Sequence, residues 1–359
     1  MMQVFEDLKV IELASVLAGP AVGMFFAELG AEVIKVENRK GGGDMTRKWK
    51  LPEESGESNV SAYFSSVNYG KKYIARDFSV ESDRMDVHEL IKAADIVIAN
   101  FKKESAGKLG MDYKTLADLN PSLIYAQIDG FTSNPHKVAF DVVLQAETGF
   151  MGMSGFADRD PAKIPVALID IIAAHQLKEG ILIALLKKQD DGSGSFVNVS
   201  LEEAALASLA NQASNYLMEG HIPQRMGSLH PNIAPYGEIF STMDGAQVVL
   251  AIGTDQQFKA LCDILKCTHL CDDDSYAINT QRVIHRVELK RILSGYIENW
   301  ELDKLMHDCE GHKIPIGQIK DLKQVLSTPV AQDMILKEDI EGRDTMRMRT
   351  VAFHISSND

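Results

Sequence analysis

The chain has 359 residues, of which 45% are hydrophobic and 25% are charged, a composition ordinary for a soluble globular protein of one or two domains. Its formal net charge of −14 argues against sequence-independent binding to nucleic acid, which depends on an excess of Lys and Arg. No apolar run reaches the roughly 18 residues of a transmembrane helix, and the N-terminus lacks the basic and small-residue features of a secretory signal, so we expect neither.

The first part of the chain alternates short apolar runs with helical patterns. Strands are predicted at 8–13, 31–37, 94–100 and 123–130, with helices at 20–29, 85–93 and 113–119 between them. Strands separated by helices predict parallel pairing with right-handed crossovers, so we expect an α/β fold with a Rossmann-like open sheet. Ligands of such sheets bind at the carboxyl ends of the strands, which here are followed by the loops 14–20, 38–47, 100–108 and 129–140.

The second part of the chain is predicted to complete the large domain and to add a smaller one. Patterns indicate a helix at 172–188, a strand at 195–201, a helix at 202–218, a hairpin at 238–253 turning at 243–245, and helices at 255–266 and 286–310. The tail 320–359 is predicted to be helical and then extended. We therefore expect a large domain of residues 1–200 with 320–359, a small α/β domain of residues 225–315, and linkers at 201–224 and 316–319.

Three predicted loops carry clustered basic residues in this acidic chain. RKGGGDMTR (39–47) could cradle phosphate through its backbone N–H groups, NYGKKY (68–73) adds Lys71 and Lys72, and NFKKESAGKLG (100–110) adds three more lysines. The glycine-rich run is neither a P-loop nor GxGxxG, so a plain loop stays open as the alternative. Three basic loops around one predicted crevice favour a phosphate-bearing ligand over solvated surface.

Asp170 is the most informative residue, because it stands inside IPVALIDIIAAHQ (164–176), which is otherwise apolar from Ile164 to Ala174. A buried carboxylate is unfavourable unless it is paired, capped or functional. As the N-cap of a helix beginning at Ile171, it would satisfy free backbone N–H groups. At the same helix N-terminus it could instead act as a nucleophile toward a bound thioester.

Other polar residues give weaker signals. His175 is predicted to be a core or helix-face histidine, whereas His230, on a flexible loop, is open to a ligand role or none. Asp141 and Glu147 could pair with basic residues, and Asp44 is expected to be a turn residue. The chain lacks a GxSxG elbow, which argues against a serine hydrolase.

The cysteines are Cys262, Cys267, Cys271 and Cys309, which do not make a disulfide framework in a chain of 359 residues. Three of them lie close to His269 in sequence, but their spacing matches no paired zinc-ligand pattern. Reduced, partly buried thiols in a cytoplasmic protein, without a metal, are the favoured interpretation.

Taken together, the motifs resemble those of family III CoA-transferases, the group that includes formyl-CoA transferase, carnitine CoA-transferase and the α-methylacyl-CoA racemases. The resemblance runs over nearly the whole chain. Its parts are LASVLAGPAVGMFFAELGAEVIKVE (13–37), GGDMTR (42–47), NYGKK (68–72), ADIVIANF (94–101), LGMDYKTLADLNPSLIYAQIDGF (109–131), FDVVLQAETGFMGMSG (140–155), ALID (167–170), GSGSFVNVSLEEAAL (192–206), the APYG–DG–VVLAIG–QF series (234–258) and KIPIG (313–317). Each segment is weak alone, but all of them in family order are highly specific.

The resemblance implies transfer of CoA from an acyl-CoA to a small carboxylic acid, with the family's catalytic aspartate at Asp170. The aspartate attacks the acyl carbon, giving an aspartyl anhydride and CoA thiolate. The thiolate then forms an aspartyl-CoA thioester, from which CoA passes to the acceptor acid. The CoA thioester is the substrate, and no permanently bound cofactor is implied.

The resemblance also implies a set of CoA contacts and an assembly. The CoA contacts are Val16, Leu17, Ala18, Asn38, Arg39, Lys72, Phe101, Lys108 and Lys137. The family's usual basic residue at position 38 is an asparagine here, so Arg39 is expected to take the phosphate role. A glycine-rich loop closes over the intermediate in some members, and Gly227, Ser228 and His230 lie in the matching stretch, which has fewer glycines. The family forms interlocked homodimers, and we expect one here.

Two other functions stay open. The racemase branch has a histidine before the aspartate that matches Asp141, where this chain has Phe140, and a phenylalanine cannot carry a proton. That branch also uses a glutamate in the loop matching 252–257, where Asp255 is the only acid. Transfer is therefore favoured over racemisation of a 2-methylacyl-CoA. The third function is a non-catalytic protein that binds CoA esters.

Overall fold

The structure is a computed structural model that describes residues 3–356. The chain divides into two compact units. The large unit comprises the described parts of Met1–Phe150, Lys163–Ile222 and Pro329–Asp359, and the small unit comprises Met151–Ala162 and Pro223–Thr328. Within residues 3–356, no helix combines the length and the apolar character that a membrane span requires.

The elements follow one another in a regular order along the chain. The strands are β1 Lys9–Glu12, β2 Glu32–Asn38, β3 Lys71–Arg76, β4 Ile96–Ala99, β5 Ile124–Asp129, β6 Ser195–Ser200, β7 Tyr236–Ser241, β8 Gln247–Ala251, β9 Ile316–Gln318, β10 Ile335–Ile340 and β11 Arg343–Met348. The α-helices are α1 Ala18–Glu28, α2 Ala62–Ser65, α3 Glu81–Lys92, α4 Lys103–Leu109, α5 Tyr113–Leu119, α6 Asp141–Glu147, α7 Phe150–Met153, α8 Leu168–Asp191, α9 Leu201–Ala207, α10 Ala210–Glu219, α11 Asp255–Leu265, α12 Asn279–Ile284, α13 Arg286–Ile297, α14 Leu302–Gly311, α15 Leu322–Leu326 and α16 Pro329–Asp333. Short 3-10 helices span Arg39–Gly41, Met45–Lys48 and Thr268–Cys271.

The large unit is built on a parallel sheet with the strand order β3-β2-β1-β4-β5-β6. The chain order reverses between the neighbours β1 and β4, and open α/β sheets bind ligands in the crevice outside the carboxyl ends of the strands at such a point. The predicted α/β fold with a Rossmann-like open sheet is confirmed. Strand β3, at one edge of the sheet, was not predicted.

Both faces of this sheet are covered by helices, which explains the unbroken apolar runs of its central strands. Val10, Ile96 and Ile124 point to one face, where they pack with α1 and α8. Ile11 and Val97, one residue further along β1 and β4, point to the other face and pack with α3 and α5. Successive side chains of a strand alternate between faces, so one apolar run serves two cores.

The connection from β5 to β6, which the prediction for the first 130 residues did not cover, departs from the rule of right-handed crossovers. The chain moves one way along the sheet from β1 to β2 and the other way from β5 to β6, yet α1 and α8 cover the same face. These two connections therefore have opposite hands, and the connections through α3 and α5 agree with the one through α1. As a result α8 packs directly against α1.

The small unit has its own antiparallel sheet, in the order β7-β8-β9. Its core forms where the sheet residues Phe240 and Val248 pack with Leu261 of α11 and Leu293 of α13. The predicted hairpin is confirmed as β7 and β8, which turn through Gly245 at φ 78°.

Some predicted boundaries differ from the structure. The segment 286–310 forms two helices, α13 and α14, rather than one. Helices α9 and α10 lie within 201–224, and β9 lies within 316–319, the two segments predicted to be linkers. The tail is helical and then extended, as predicted, because α15 and α16 precede the antiparallel pair of β10 and β11.

Candidate active site

The loop between β1 and α1 lies at the carboxyl edge of the sheet and is held from two sides. The side-chain amide of Asn100, just after β4, accepts a hydrogen bond from the Ser15 N–H at 3.2 Å and donates one to the Ser15 carbonyl at 2.9 Å. The Asp44 carboxylate, after β2, accepts a hydrogen bond from the Val16 N–H at 3.2 Å. Val16 itself has φ 75°, a left-handed conformation that is unusual for a β-branched residue. These bonds fix the chain immediately before α1.

Four buried charged side chains connect this loop to the interior of the sheet. Lys35 Nζ lies 2.8 Å from Glu12 Oε1 and 3.0 Å from Asp44 Oδ2, and Lys71 Nζ lies 2.8 Å from Glu12 Oε2. Burial opposes the charge of Lys35, but the neighbouring Glu12 and Asp44 carboxylates raise the pKa of Lys35 overall. Burial likewise opposes the charge of Asp44, whose pKa is lowered overall by Lys35 and by hydrogen bonds from Thr46. Asp44 is therefore a buried ionic residue as well as the predicted turn residue.

Basic side chains gather where β2 and β3 end. Asn38 and Arg76, the last residues of these strands, are partners in the strand register. The Asn38 side chain accepts a hydrogen bond from the Lys40 N–H at 3.0 Å. The Arg39 guanidinium lies 2.6 Å from Asp83 Oδ2 and stays 56% exposed. Arg39, Lys40 and Arg76, which follow or end neighbouring strands, are called the cationic cluster here; within it Arg39 pairs with Asp83 and Arg76 with Asp86 at 3.2 Å.

The segment 68–73 is not the basic loop that the sequence predicted. Lys71 and Lys72 begin strand β3, and their side chains point in opposite directions. Lys71 is buried, and burial lowers its pKa to about 8. Lys72 is exposed and pairs at 2.5 Å with Glu32, the first residue of β2. Lys72 therefore lies at the amino end of the parallel strands, opposite the carboxyl edge.

The remaining predicted CoA contacts lie after β4 and β5. Phe101 follows β4, and its carbonyl accepts a hydrogen bond from Gln127 at 2.9 Å. Lys108 is exposed in the last turn of α4. Lys137 pairs with Glu147, which confirms the predicted pairing of that acid with a basic residue.

Asp170 lies in the first turn of α8, where its side chain is almost completely buried. The helix begins at Leu168 with Ala167 as the N-cap, so the prediction that Asp170 caps a helix beginning at Ile171 is wrong. The residue is 7% exposed, and among residues 3–356 its carboxylate has no hydrogen-bond or ion-pair partner. Burial, together with the nearby charge of Asp141, raises the pKa of Asp170 to about 7. A desolvated carboxylate with a raised pKa is typical of catalytic positions.

The N-terminus of α8 is satisfied by Asp141, the first residue of α6. Asp141 Oδ1 accepts a hydrogen bond from the Ile169 N–H at 2.8 Å, and Oδ2 accepts one from the Gln145 amide at 2.6 Å. The same Gln145 side chain accepts a hydrogen bond from the Ile164 N–H at 2.8 Å, which holds the segment before α8. Asp141 therefore performs the capping role that the sequence assigned to Asp170, and it leaves the Asp170 carboxylate unpaired.

Tyr63 connects the two parts of the site and was missed by the sequence analysis. Burial, together with the charges of Asp170, Asp141 and Asp44, raises the pKa of Tyr63 to about 12. Its ring lies 5.0 Å from that of Trp49, edge to face. A tyrosine that is influenced by three carboxylates has no signature in the local sequence, because Tyr63 stands far from all three along the chain.

The carboxyl edge brings the helix starts of α1 and α8 together. A helix between parallel strands runs antiparallel to them, so α1 and α8 both begin at this edge. Because α8 packs on α1, Asp170 lies on the same face of the sheet as the loop that precedes Ala18. The N-termini of both helices, whose dipoles favour developing negative charge, therefore lie at the same edge as the Asp170 carboxylate.

In the small unit, the predicted substrate loop is tied to its own surroundings. The Gly227 N–H donates to the Gly155 carbonyl at 2.8 Å, and the Ser228 hydroxyl donates to the Gly237 carbonyl at 2.5 Å. His230 Nδ1 accepts a hydrogen bond from the Asn232 N–H at 3.2 Å, which leaves Nε2 to carry the proton of the neutral ring.

The remaining polar candidates lie outside this arrangement. His175 is an exposed helix-face histidine, and the partial burial of its ring together with the charge of Lys178 lowers its pKa. Within the described residues, no group of three or more His, Cys, Asp and Glu side chains is placed to hold a metal ion. Cys262 and Cys267 are buried, free thiols in the core of the small unit.

Comparison with known proteins identifies the architecture. Residues 5–359 match the family model described as CoA-transferase family III. The chain is 40% identical over 343 residues to the succinate–glutarate CoA-transferase of Agrobacterium fabrum, with 94% of this chain and 85% of that protein covered. It is 32% identical to the acetyl-CoA:oxalate CoA-transferase of Acetobacter aceti, covering 93% of this chain and 85% of that protein. The crystal structure of a CAIB/BAIF family protein from Brucella suis superposes with a TM-score of 0.87 at 37% identity, covering 100% of this chain and 94% of that one.

Proposed function

This chain belongs to CoA-transferase family III, and on that premise we propose that it moves CoA from an acyl-CoA thioester to a small dicarboxylic acid through covalent intermediates on Asp170. Acyl-CoA:carboxylate transfer is the reaction of its named relatives. The unpaired, buried carboxylate of Asp170 at the carboxyl edge of the sheet is the observation that carries the assignment to this residue.

The environment of Asp170 suits a nucleophile. A pKa of about 7 means that a large fraction is ionised at neutral pH, while the basicity of the carboxylate exceeds that of an exposed aspartate. Because no protein group hydrogen bonds to its oxygens, attack on a carbonyl carbon requires no such bond to be broken. The N-terminus of α8 adds a favourable field for the ionised form.

The proposed reaction proceeds in four acyl-transfer steps. The Asp170 carboxylate attacks the acyl carbon, the C–S bond breaks, and an aspartyl anhydride and CoA thiolate form. The thiolate attacks the aspartyl carbonyl of the anhydride, which gives an aspartyl-CoA thioester and releases the donor as a carboxylate. The acceptor carboxylate attacks this thioester, forming a second anhydride and expelling the thiolate. The thiolate then attacks the acyl carbonyl of the acceptor, which yields the new acyl-CoA and restores Asp170.

The CoA site that we propose follows the carboxyl edge. The pantetheine end lies along Val16, Leu17 and Ala18, which lead into α1. The phosphate-bearing end lies at the cationic cluster of Arg39, Lys40 and Arg76, beside Asn38, since clustered guanidinium and ammonium groups bind phosphate well. Phe101, Lys108 and Lys137 complete the set on the loops after β4 and β5. We leave Lys72 out of this site, because it stands at the opposite end of the strands, where it pairs with the first residue of β2, Glu32.

The acid substrates are proposed from the relatives. Their names include succinate, glutarate and oxalate, all of which are small dicarboxylic acids. We propose acids of this class as donor and acceptor, and we retain Gly227, Ser228 and His230 as residues of the substrate loop. We also propose, from the family resemblance alone, that the protein is a cytoplasmic, interlocked homodimer. Light scattering on the purified protein would test whether it contains two subunits.

A CoA-exchange assay tests the proposed reaction. Several CoA thioesters are mixed with a panel of mono- and dicarboxylic acids, and the appearance of new thioesters is followed by mass. The wild-type protein is expected to transfer CoA to dicarboxylic acids, and Asp170→Asn is expected to abolish this transfer. Deuterium uptake at the α-carbon without CoA exchange would instead show a racemase. Tight CoA-ester binding without any turnover would show a non-catalytic binding protein.

A further inference from the structure

We propose that Asp44 is a positioning residue for the CoA ester: its carboxylate holds Val16 in the left-handed backbone conformation that presents the start of α1 to the ligand. The inference rests on the proposed CoA site and adds to it a residue that makes no contact with substrate. Asp44 sets the geometry of the loop at Val16 and does not itself react.

The conformation of Val16 requires an explanation. At φ 75° this residue occupies a region that L-amino acids rarely adopt, and a β-branched side chain makes it less favourable still. Such backbone strain persists only where the surroundings over-determine it, and it concentrates at functional sites. Contacts with surrounding residues must therefore stabilise Val16 in this left-handed conformation.

Asp44 supplies such a contact. Its carboxylate accepts the Val16 N–H, with 3.2 Å to Oδ2 and 3.4 Å to Oδ1. The carboxylate is itself fixed by the Thr46 N–H at 3.0 Å, the Thr46 hydroxyl at 2.8 Å and the Lys35 ammonium at 3.0 Å. The Asp44 side chain is 1% exposed, so neither water nor a mobile counterion competes for these bonds. A charged acceptor in such surroundings forms a strong hydrogen bond.

The strained turn leaves the start of α1 open. The N-cap Leu17 has no side-chain cap, and Pro20, in the first turn, has no N–H to satisfy. Within the described residues, the amides of Leu17 and Ala18 have no hydrogen-bond acceptor. The N–H groups of Ser15 and Val16 donate to the side chains that shape the loop. The amides of Leu17 and Ala18 instead face the region proposed for CoA.

The test is a double-mutant cycle between Asp44 and Val16, read as the KM for acyl-CoA separately from kcat. Asp44→Asn is expected to raise KM about tenfold, because the negative charge that strengthens the bond from the Val16 N–H and pairs with Lys35 is lost, while kcat changes less. Glycine adopts positive φ without strain, so Val16→Gly in the Asp44→Asn background is expected to restore much of the lost affinity. Val16→Ala in the same background keeps the strain and is expected to restore little.

Asp112 provides the matched control. It accepts the Thr115 N–H at 3.2 Å and the Thr115 hydroxyl at 2.7 Å, the same pair of bonds that Asp44 makes with Thr46, but it caps α5 far from this loop. Asp112→Asn should leave KM unchanged. If Asp44→Asn does not fold, Thr46→Val removes a single bond to the carboxylate and is expected to raise KM by a smaller factor.

The outcomes separate the two proposals. Wild-type transfer of CoA combined with an unchanged KM in Asp44→Asn, or in Thr46→Val where Asp44→Asn does not fold, would overturn the positioning role alone. The same holds if glycine at position 16 restores no more affinity than alanine does. Absence of CoA-ester binding and transfer in the wild-type protein would overturn the proposed function and the positioning role together.

Discussion

Asp141 Oδ1 lies 2.8 Å from the backbone nitrogen of Ile169, so the carboxylate that caps α8 belongs to a different helix from the carboxylate proposed to react. This division of roles explains the state of Asp170. A capping aspartate would be held in its ionised form by backbone N–H groups. Asp170 does not cap the helix, and its carboxylate stays unpaired, buried and close to the negative charge of Asp141.

The first prediction concerns the charge of Asp141. Asp141→Asn keeps an oxygen that can accept the Ile169 N–H but removes the charge that helps burial to raise the pKa of Asp170. The pKa of Asp170 should fall, and the acid limb of the kcat/KM profile should shift to lower pH. Asp190→Asn, at the exposed C-terminal end of the same helix, is the control and should leave the limb in place.

A second prediction follows for the wild-type enzyme. Because the nucleophile is the ionised form, kcat/KM should fall below about pH 7, approaching a tenfold loss per pH unit. The measurement is initial CoA exchange across pH 5 to 9, roughly the range over which a group of this pKa titrates. An activity that stays flat down to pH 5 would contradict the raised pKa of the attacking carboxylate.

The third prediction is that Asp170→Asn stabilises the fold while abolishing transfer. The carboxyl group of the unfolded chain ionises near its usual pKa of 3.8, whereas that of the folded protein keeps its proton until about pH 7. Between these values the folded state binds more protons, so wild-type stability decreases as pH rises through this window. The free energy of unfolding of Asp170→Asn should exceed that of wild type by about 4 kcal/mol above pH 7, and by little near pH 4. Denaturant unfolding at several pH values would measure it, and equal stabilities at every pH would contradict it.

The fourth prediction decides which end of the sheet binds phosphate. Arg39→Ala should raise the KM for acyl-CoA about tenfold, because the exposed guanidinium at the carboxyl edge would lose a charge-assisted contact. Lys72→Ala should change it little, because that lysine lies at the amino end of the strands, away from the proposed phosphate site. The opposite ranking of the two variants would show that CoA extends along the other end of the strands.

The sequence predicted those features that local patterns determine. Strand β4 was recognisable because a parallel strand with both faces buried is an unbroken apolar run, and β1, β2 and β5 because short apolar runs remain between their polar residues. Asp170 stood out for a related reason, since a lone carboxylate in an apolar run demands an explanation. Strand β3 escaped detection because its two lysines look solvated, although the ammonium group of Lys71 is paired inside the molecule.

Other features depend on contacts between distant segments. The rule of right-handed crossovers would place α8 on the face away from α1, whereas the structure places the two side by side. Only that exception puts Asp170 on the same face of the sheet as the helix that follows Val16. Local patterns could not predict the capping of α8 by Asp141 or the position of Tyr63 either, because each involves residues well separated in sequence.

The most direct test of the central claim is to trap the covalent intermediate. The enzyme is incubated with an acyl-CoA donor, quenched with hydroxylamine and mapped by peptide mass spectrometry. An aspartyl hydroxamate at Asp170, which requires the donor and is absent in Asp170→Asn, is the predicted result. A label on another residue, or transfer at the full rate by Asp170→Asn, would contradict the proposed mechanism.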